Sequence, residues 1–448
     1  MTPPEAFSRE VVIDRMVPGG EGLGRVDGIV ALVQGGTPGD RVIASLTVES
    51  PSLLRGRAVE VLSPGPHGRS PGEVCPRAAD GSCGGCDWPR VRKDSAKALK
   101  TELVLDALRR VGGLGASELP FPSFIPSPPN YRLRNRLHRG SDGRLGFFAP
   151  HSNRVAADLS SCEIVSEALL ARLPAIRESF RRLGPAKGEL ATLEDRNGNV
   201  LLGEFRLALG KIRGVSSNVN RGPFDGFRLR HPEGYILFED GPSALELETA
   251  RATFRVSVSS FFQGNRFLLD AFLDEVRSAL HEAFRGEGSA TGPIRALDLY
   301  AGVGFLTRPI LEAAAERGGE VVAVEVDASS SDDLSANLRR WEAGGLPPAR
   351  GAAMTAEAFL APGSPTEKPG IFDVVVADPP RAGLSPAVRR GLLRIRPPAI
   401  VMVSCDPPTL GRDLAAFRGA YRVDRLTLLD LFPGTHHVEA VALLVRRT

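Results

Sequence analysis

The five cysteines of this chain are distributed unevenly, and the distribution suggests two kinds of chemistry. Cys75, Cys83 and Cys86 crowd one short stretch, Cys162 stands apart, and Cys405 lies far downstream beside Asp406-Pro407-Pro408. In a reducing compartment a tight thiol group reads as a metal site rather than a set of disulfides. Four thiolates, Cys75, Cys83, Cys86 and Cys162, can hold zinc or an iron–sulfur cubane. The spacing C-x7-C-x2-C with a remote fourth ligand is not a usual zinc-ribbon pattern. Cys405 is then the one free thiol. An isolated buried cysteine is ordinarily a small core hydrophobe, so its reading depends on its surroundings. Those surroundings are Ser404-Cys405-Asp406, preceded by Asp378-Pro-Pro-Arg381 and followed by Phe432-Pro-Gly-Thr435-His436-His437-Val438-Glu439.

A second constellation suits a nucleoside cofactor. Asp298-Leu-Tyr300-Ala-Gly302-Val-Gly304 follows an apolar run, and glycines there let backbone approach a ligand at a helix N-terminus. The third glycine of a dinucleotide fingerprint is missing, so phosphate is not the favoured ligand. The next apolar run ends in Glu325-Val-Asp327, and an acidic residue at that point can accept from both ribose hydroxyls. The set favours adenosylmethionine over NAD. A methyl donor gives Cys405 a purpose. Carbon 5 of uracil is too weak a nucleophile to take a methyl group unaided, whereas a thiolate adding to carbon 6 turns the ring into an enolate. Release then needs a base for the carbon-5 proton, and Glu439 is the candidate. His436 and His437 could orient that base or the target, or be plain loop residues.

These residues must be gathered by the fold. The runs Ala296–Tyr300, Val321–Val326, Phe372–Ala377 and Ala399–Val403 are nearly continuous in apolar residues and alternate with helical periods such as Phe272, Val276 and Leu280. That pattern predicts an α/β fold with a doubly wound parallel sheet. Ligands of such sheets gather outside the carboxyl ends of the strands, where the glycine loop, Glu325, Asp378 and Cys405 all fall. Arg425–Leu431 and Val438–Val445 read as a closing antiparallel pair, and Ala361–Gly370 as an exposed loop.

Upstream, residues 1–63 read as a small β-barrel of five short strands separated by Gly and Pro turns, with a β-cap lacking any ligand role as the alternative. Residues 64–255 form a central unit with the cysteine loop, a helix over about Ser95–Val111, a linker over Gly112–Pro129 and a β-rich region. Residues 256–448 form the catalytic unit. The strand Tyr131–Leu137 would put Arg132, Arg134 and Arg136 on one face, either tracking phosphates or as a solvated edge. The length of 448 residues fits two or three domains, and 42% hydrophobic and 24% charged residues are ordinary for a globular protein. A formal charge of +3 permits a polyanionic partner without arguing for one. No apolar stretch reaches the roughly 20 residues of a membrane span, and Met1–Phe7 lacks a signal-peptide layout. The cytoplasm is the expected compartment.

Taken together, Ser404-Cys-Asp-Pro-Pro-Thr-Leu-Gly-Arg-Asp413, Phe432-Pro-x-Thr-x-His-Val-Glu439, Asp378-Pro-Pro-Arg-x-Gly383 and Phe261-Phe-Gln263-Gly-Asn265 resemble the motifs of the RNA uracil-C5 methyltransferase family. The resemblance covers most of the chain and implies a class I methyltransferase fold. It implies Cys405 as nucleophile, Glu439 as base, and Gln263, Tyr300, Glu325 and Asp378 as contacts to S-adenosylmethionine. Gly20-Glu-Gly22-Leu-Gly24-Arg25 resembles the RNA-binding TRAM domain, an OB-like barrel. Cys75, Cys83, Cys86 and Cys162 match the set that holds a [4Fe–4S] cluster in the ribosomal RNA branch, which leans the expected partner towards 23S ribosomal RNA rather than transfer RNA. No obligate protein partner is expected. The first cysteine gap is longer than the family usually shows, Thr355 stands where an acidic or amide residue often meets adenine, and Ala301 takes a place often held by cysteine. Competing readings are cytosine-C5 methylation, amino-group methylation and a silent RNA-binding scaffold. The first usually has a cysteine, and the second an aromatic residue, in the segment occupied here by Asp378-Pro-Pro-Arg381.

Overall fold

A strand rich in valine and alanine with no polar face must be covered on both sides, and Val374–Ala377 is such a strand. Val374 and Val376 point into one core and Val375 and Ala377 into the other, all fully buried. The computed structural model describes residues 6–150, 152–156, 159–181, 187–208, 220–285, 292–363 and 371–447. In it, an eight-stranded sheet runs Ala349–Ala353, Gly319–Glu325, Ile294–Leu299, Val374–Ala377, Ala399–Ser404, Glu439–Arg446, Tyr421–Leu429, Ser123–Ile125. The first five strands are parallel; Glu439–Arg446 is antiparallel to both its neighbours. Helices Leu269–Arg285, Thr307–Arg317 and Ala328–Ala343 cover one face. Pro386–Ile395 and Pro407–Phe417 cover the other.

Two remote segments complete this sheet. Ser123–Ile125, within what the sequence reads as a linker, adds a parallel edge strand through Thr427, Leu428 and Leu429. The helix Ala96–Arg110 packs on Pro407–Phe417 and sends Val104 and Leu108 into the second core. Its Leu99 and Leu103 belong instead to a small cluster with Met16, Trp88 and Val91, beneath the barrel. The barrel itself is closed by Phe7–Met16, Gly22–Val26, Ile29–Gln34, Arg41–Ser50 and Leu53–Ser63 around Val11, Ile13, Val33, Val42 and Leu46. A separate seven-stranded sheet, from Ile236–Asp240 to Val155–Ala156, is built from the central part of the chain. Most of Ala361–Gly370 lies outside the described residues.

The arginine stripe is corrected. The strand covers Arg134–Arg139 rather than Tyr131–Leu137, and its arginines do not share one exposed face. Arg134 turns inward and donates to the carbonyls of Ser260 and Val258, next to the segment that carries Gln263. Burial lowers its pKa to about 10. Arg132 lies over the rings of Phe147 and Tyr131. Only Arg136 is well exposed, beside Glu189. Period two predicted the alternation; it could not reveal that carbonyls from another segment face the stripe. Arg134→Met is therefore expected to cost roughly 1.5–3 kcal/mol of stability in denaturant unfolding, the range for bonds to a charged donor. The salt dependence of RNA affinity, which counts neutralised phosphates, should not change.

Candidate active site

Strand register brings the expected residues to one edge. Leu299 pairs with Val324 on one side and Ala377 on the other, so the next residues, Tyr300, Glu325 and Asp378, emerge side by side from three adjacent strands. Ala399–Ser404 pairs antiparallel with Glu439–Arg446, and the last pair is Ser404 with Ala440. One step further sets Cys405 opposite Glu439. Gln263 arrives from a separate segment, and its side-chain amide donates to Asp378 Oδ2 at 3.3 Å. That segment is fixed by Asn265, which donates to Leu431 O at 3.0 Å while its own oxygen accepts from the backbone of Phe267 and Leu268.

The glycine loop is tightly made. Gly304 has φ +94, and a Cβ there would lie 2.9 Å from Leu334 and 3.2 Å from Trp341, so a side chain would be both strained and crowded. Tyr300 adopts φ +63, a left-handed conformation costly for an aromatic residue and frequent at functional sites. Gly302 N donates to Glu325 Oε2 at 2.8 Å, while the other oxygen accepts from Val326 N and Asp327 N. Below the loop, Asp298 is fully buried; burial pushes its pKa to about 8, Thr307 donates to one oxygen, and the other has no partner. Thr355 uses its hydroxyl to cap the short helix Ala356–Phe359.

Acids and thiol are close enough to feel one another. Burial pushes the Cys405 thiol up to about 12, Glu439 and Asp378 add to the rise, and the Arg381 guanidinium opposes it. Glu439 is 4% exposed, and burial followed by Asp378 holds its pKa well above the usual carboxylate range. Burial likewise raises Asp378 to about 7. Mutual repulsion and desolvation thus favour neutral acids and a neutral thiol in the ligand-free site. Arg381 is the nearby cation that offsets this.

The segment before Glu439 is held from outside the sheet. His436 donates its backbone N–H to Asp87 Oδ1 at 2.7 Å, and its ring meets the other oxygen. His437 packs against His436 with the rings tilted by 38° and places Nε2 3.4 Å from Arg381. Arginine has no acceptor, so this contact requires Nε2 to accept and the proton to sit on Nδ1. Burial, with the neighbouring His436 and Arg381, lowers the His437 pKa to about 4, which keeps it neutral as that contact demands. Asp87, His436 and His437 are also the only group of metal-ligand type whose atoms fall within 4.8 Å of one another among the described residues. The four cysteines Cys75, Cys83, Cys86 and Cys162 instead line one cavity of about 140 Å³, half-buried, whose wall includes Asp430, Pro433 and Gly434. Burial raises the pKa of Cys83, Cys86 and Cys162, and Arg132 opposes the rise in all three.

Sequence reading missed Asp87, Lys100 and Asp430, and used Arg381 only to exclude an amino-group methyltransferase. A signal for Lys100 existed: it heads the stripe Lys100, Val104, Leu108, otherwise apolar and wholly buried. The electrostatics predict a pH profile. A cysteine nucleophile reacts as thiolate, so if Cys405 has that role its raised pKa means that adduct formation by the free enzyme, read as kcat/KM, climbs with pH and does not level below the ordinary cysteine value of about 8.5. Arg381→Met should move the climb to higher pH, slowing the reaction at neutral pH roughly tenfold per unit shifted. Glu439→Gln should move adduct formation to lower pH, because the carboxylate charge that Glu439 carries once pH exceeds its own raised pKa, and that raises the thiol, is gone.

The family model described as tRNA (Uracil-5-)-methyltransferase matches residues 368–447, which hold the Asp378, Cys405 and Glu439 segments. A second, described as Conserved hypothetical protein 95, matches 272–406. An uncharacterized RNA methyltransferase of Corynebacterium efficiens is 30% identical over 98% of this chain and 94% of its own length. Another, of Thermosynechococcus vestitus, is 30% identical over 97% of both chains. Among solved structures, the tRNA (uracil-54, C5)-methyltransferase of Pyrococcus abyssi, in complex with S-adenosyl-L-homocysteine, shares the fold with a TM-score of 0.70, 22% identity and coverage of 98% of this chain and 100% of that one. The chain belongs to the family of S-adenosylmethionine-dependent RNA methyltransferases of the uracil-5 type.

Proposed function

We propose that this enzyme methylates carbon 5 of a uridine in 23S ribosomal RNA, with Cys405 as nucleophile and Glu439 as base. The observation that carries the reading is the register that sets Cys405 opposite Glu439 at the end of one ladder, beside Asp378. The thiolate of Cys405 bonds to carbon 6, and carbon 5 takes the methyl group that S-adenosylmethionine supplies. Glu439 then accepts the carbon-5 proton; the C–H electron pair re-forms the ring double bond, and the carbon–sulfur bond breaks to return the thiolate. A carboxylate with a raised pKa accepts that proton more readily than an exposed one.

Gln263, Tyr300, Glu325 and Asp378 suit adenosylmethionine. After its three backbone bonds Glu325 keeps one of about four lone-pair sites for a ribose hydroxyl, Asp298 has an unpartnered oxygen beneath the loop, and Gly302 faces open space. The cysteine cavity fits a [4Fe–4S] cluster better than zinc. No three of its thiols fall within 4.8 Å of one another, and a cubane takes one thiolate on each of four irons rather than four on one ion. The barrel serves as a TRAM-like RNA module in a cytoplasmic enzyme. Among the described residues no helix is long and apolar enough to cross a membrane.

RNA carrying 5-fluorouridine at the target blocks proton removal and should trap a covalent adduct that Cys405→Ala cannot form; absence of an adduct with any RNA overturns the uracil chemistry. Mass-spectrometric mapping of 5-methyluridine in a deletion strain should show the loss in 23S ribosomal RNA, and a loss confined to transfer RNA would reverse the target. Purified enzyme should hold iron and absorb broadly in the visible, and Cys83→Ala should remove both; one bound zinc and no iron would overturn the cluster.

A further inference from the structure

Among the described residues Lys100 is the largest charged side chain wholly withdrawn from solvent, at 0% exposure. It lies in the helix Ala96–Arg110, far in sequence from the catalytic motifs, and every bond its ammonium makes goes to the segment that leads into Glu439. Nζ donates to Asp430 Oδ1 at 2.6 Å, Phe432 O at 3.2 Å and His437 O at 2.7 Å. Three donors and three acceptors leave none unmet. Asp430 follows the strand Tyr421–Leu429, and His437 precedes the strand that Glu439 opens. One ammonium therefore ties both ends of the turn between these strands.

Such a group is expensive to bury, since ion-pair attraction only partly offsets desolvation. A methionine or leucine would fill the same volume in a helix whose neighbouring positions, Val104 and Leu108, are apolar. The turn could still close, but its two ends would lose a common anchor. Positional accuracy matters here because proton transfer from carbon needs the carboxylate within hydrogen-bond reach, and a shift of about 1 Å can cost on the order of 10²-fold.

We infer that Lys100 is a positioning residue for the base step: it sets the placement of Glu439 through Asp430 and the Phe432 and His437 carbonyls, without touching substrate. The inference rests on Glu439 being the base. Its signature is a split between two half-reactions. Addition of Cys405 depends on the anchored turn only indirectly, through the His437 contact with Arg381, whereas removal of the carbon-5 proton depends on it directly, through the placement of Glu439.

The test uses the full-length enzyme with Lys100→Met/Asp430→Asn, which removes the charge pair without stranding a buried carboxylate, and Lys100→Met alone. Each is compared with Glu439→Gln. With 5-fluorouridine RNA, where release is blocked, the double variant should form adduct within about threefold of the parent rate. With unmodified RNA its kcat should fall on the order of 10²-fold, KM should stay within about threefold, and the covalent RNA–enzyme intermediate should accumulate on denaturing gels. Adduct formation and turnover falling together, or turnover unchanged, would overturn the role of Lys100. Failure of the base reading looks different: Glu439→Gln itself would then turn over normally or accumulate no intermediate.

Discussion

In the proposed mechanism a thiol and an acid act in turn at the two ends of one carbon–carbon bond, and they have to be placed by something stiffer than a loop. Here that is the antiparallel ladder between Ala399–Ser404 and Glu439–Arg446, whose register leaves Cys405 and Glu439 as the first residues beyond its last pair. A slip of one residue would turn every side chain of Glu439–Arg446 to the wrong face, carrying Ala440 and Ala442 out of one core and Val441 and Leu443 out of the other. Packing therefore fixes the register, and the register fixes the chemistry. The parallel strands do the same for Tyr300, Glu325 and Asp378.

The same burial that fixes geometry makes the resting site chemically quiet. Cys405, Glu439 and Asp378 are all driven towards their neutral forms, and Arg381 is the cation that opposes this for the first two. His437, kept neutral by its surroundings, can accept from Arg381 and hold it in place. A thiolate exposed to water would react indiscriminately; one that forms only when the environment changes is safer. Cationic charge arriving beside the thiol would lower its pKa and so favour the reactive form in the loaded site.

Much of this was legible in the sequence because motif residues sit at strand ends, and strand ends are visible as the termini of apolar runs. Asp378 and Cys405 could be placed on one edge from Val374–Ala377 and Ala399–Val403 alone. Glu439 was marked by the turn residues before it. The parts that were not legible are contacts between segments distant in the chain. Nothing local says that Arg134 faces the Ser260 carbonyl, that Ser123–Ile125 pairs with Tyr421–Leu429, or that Lys100 reaches Asp430. The helix Ala96–Arg110 does hold a lysine on an apolar stripe, which the sequence reading did not single out. Periodicity finds the face; only the tertiary fold supplies the partner.

Gly20, in the turn of the barrel, has φ +82, and a Cβ there would meet His436 Nδ1 at 2.9 Å and Asp87 Cγ at 3.0 Å. Trp88 reinforces the junction by donating its indole N–H to Gly20 O and its backbone N–H to Gly434 O. Barrel, cysteine loop and the turn before Glu439 thus touch at one point with no side chain of Gly20 to spare. The barrel is consequently a fixed jaw rather than a tethered arm. In its proposed role as an RNA module, it would hold a strand at a set span from Cys405, so reach along the RNA would be measured by the protein's rigidity, not by a search of linker lengths.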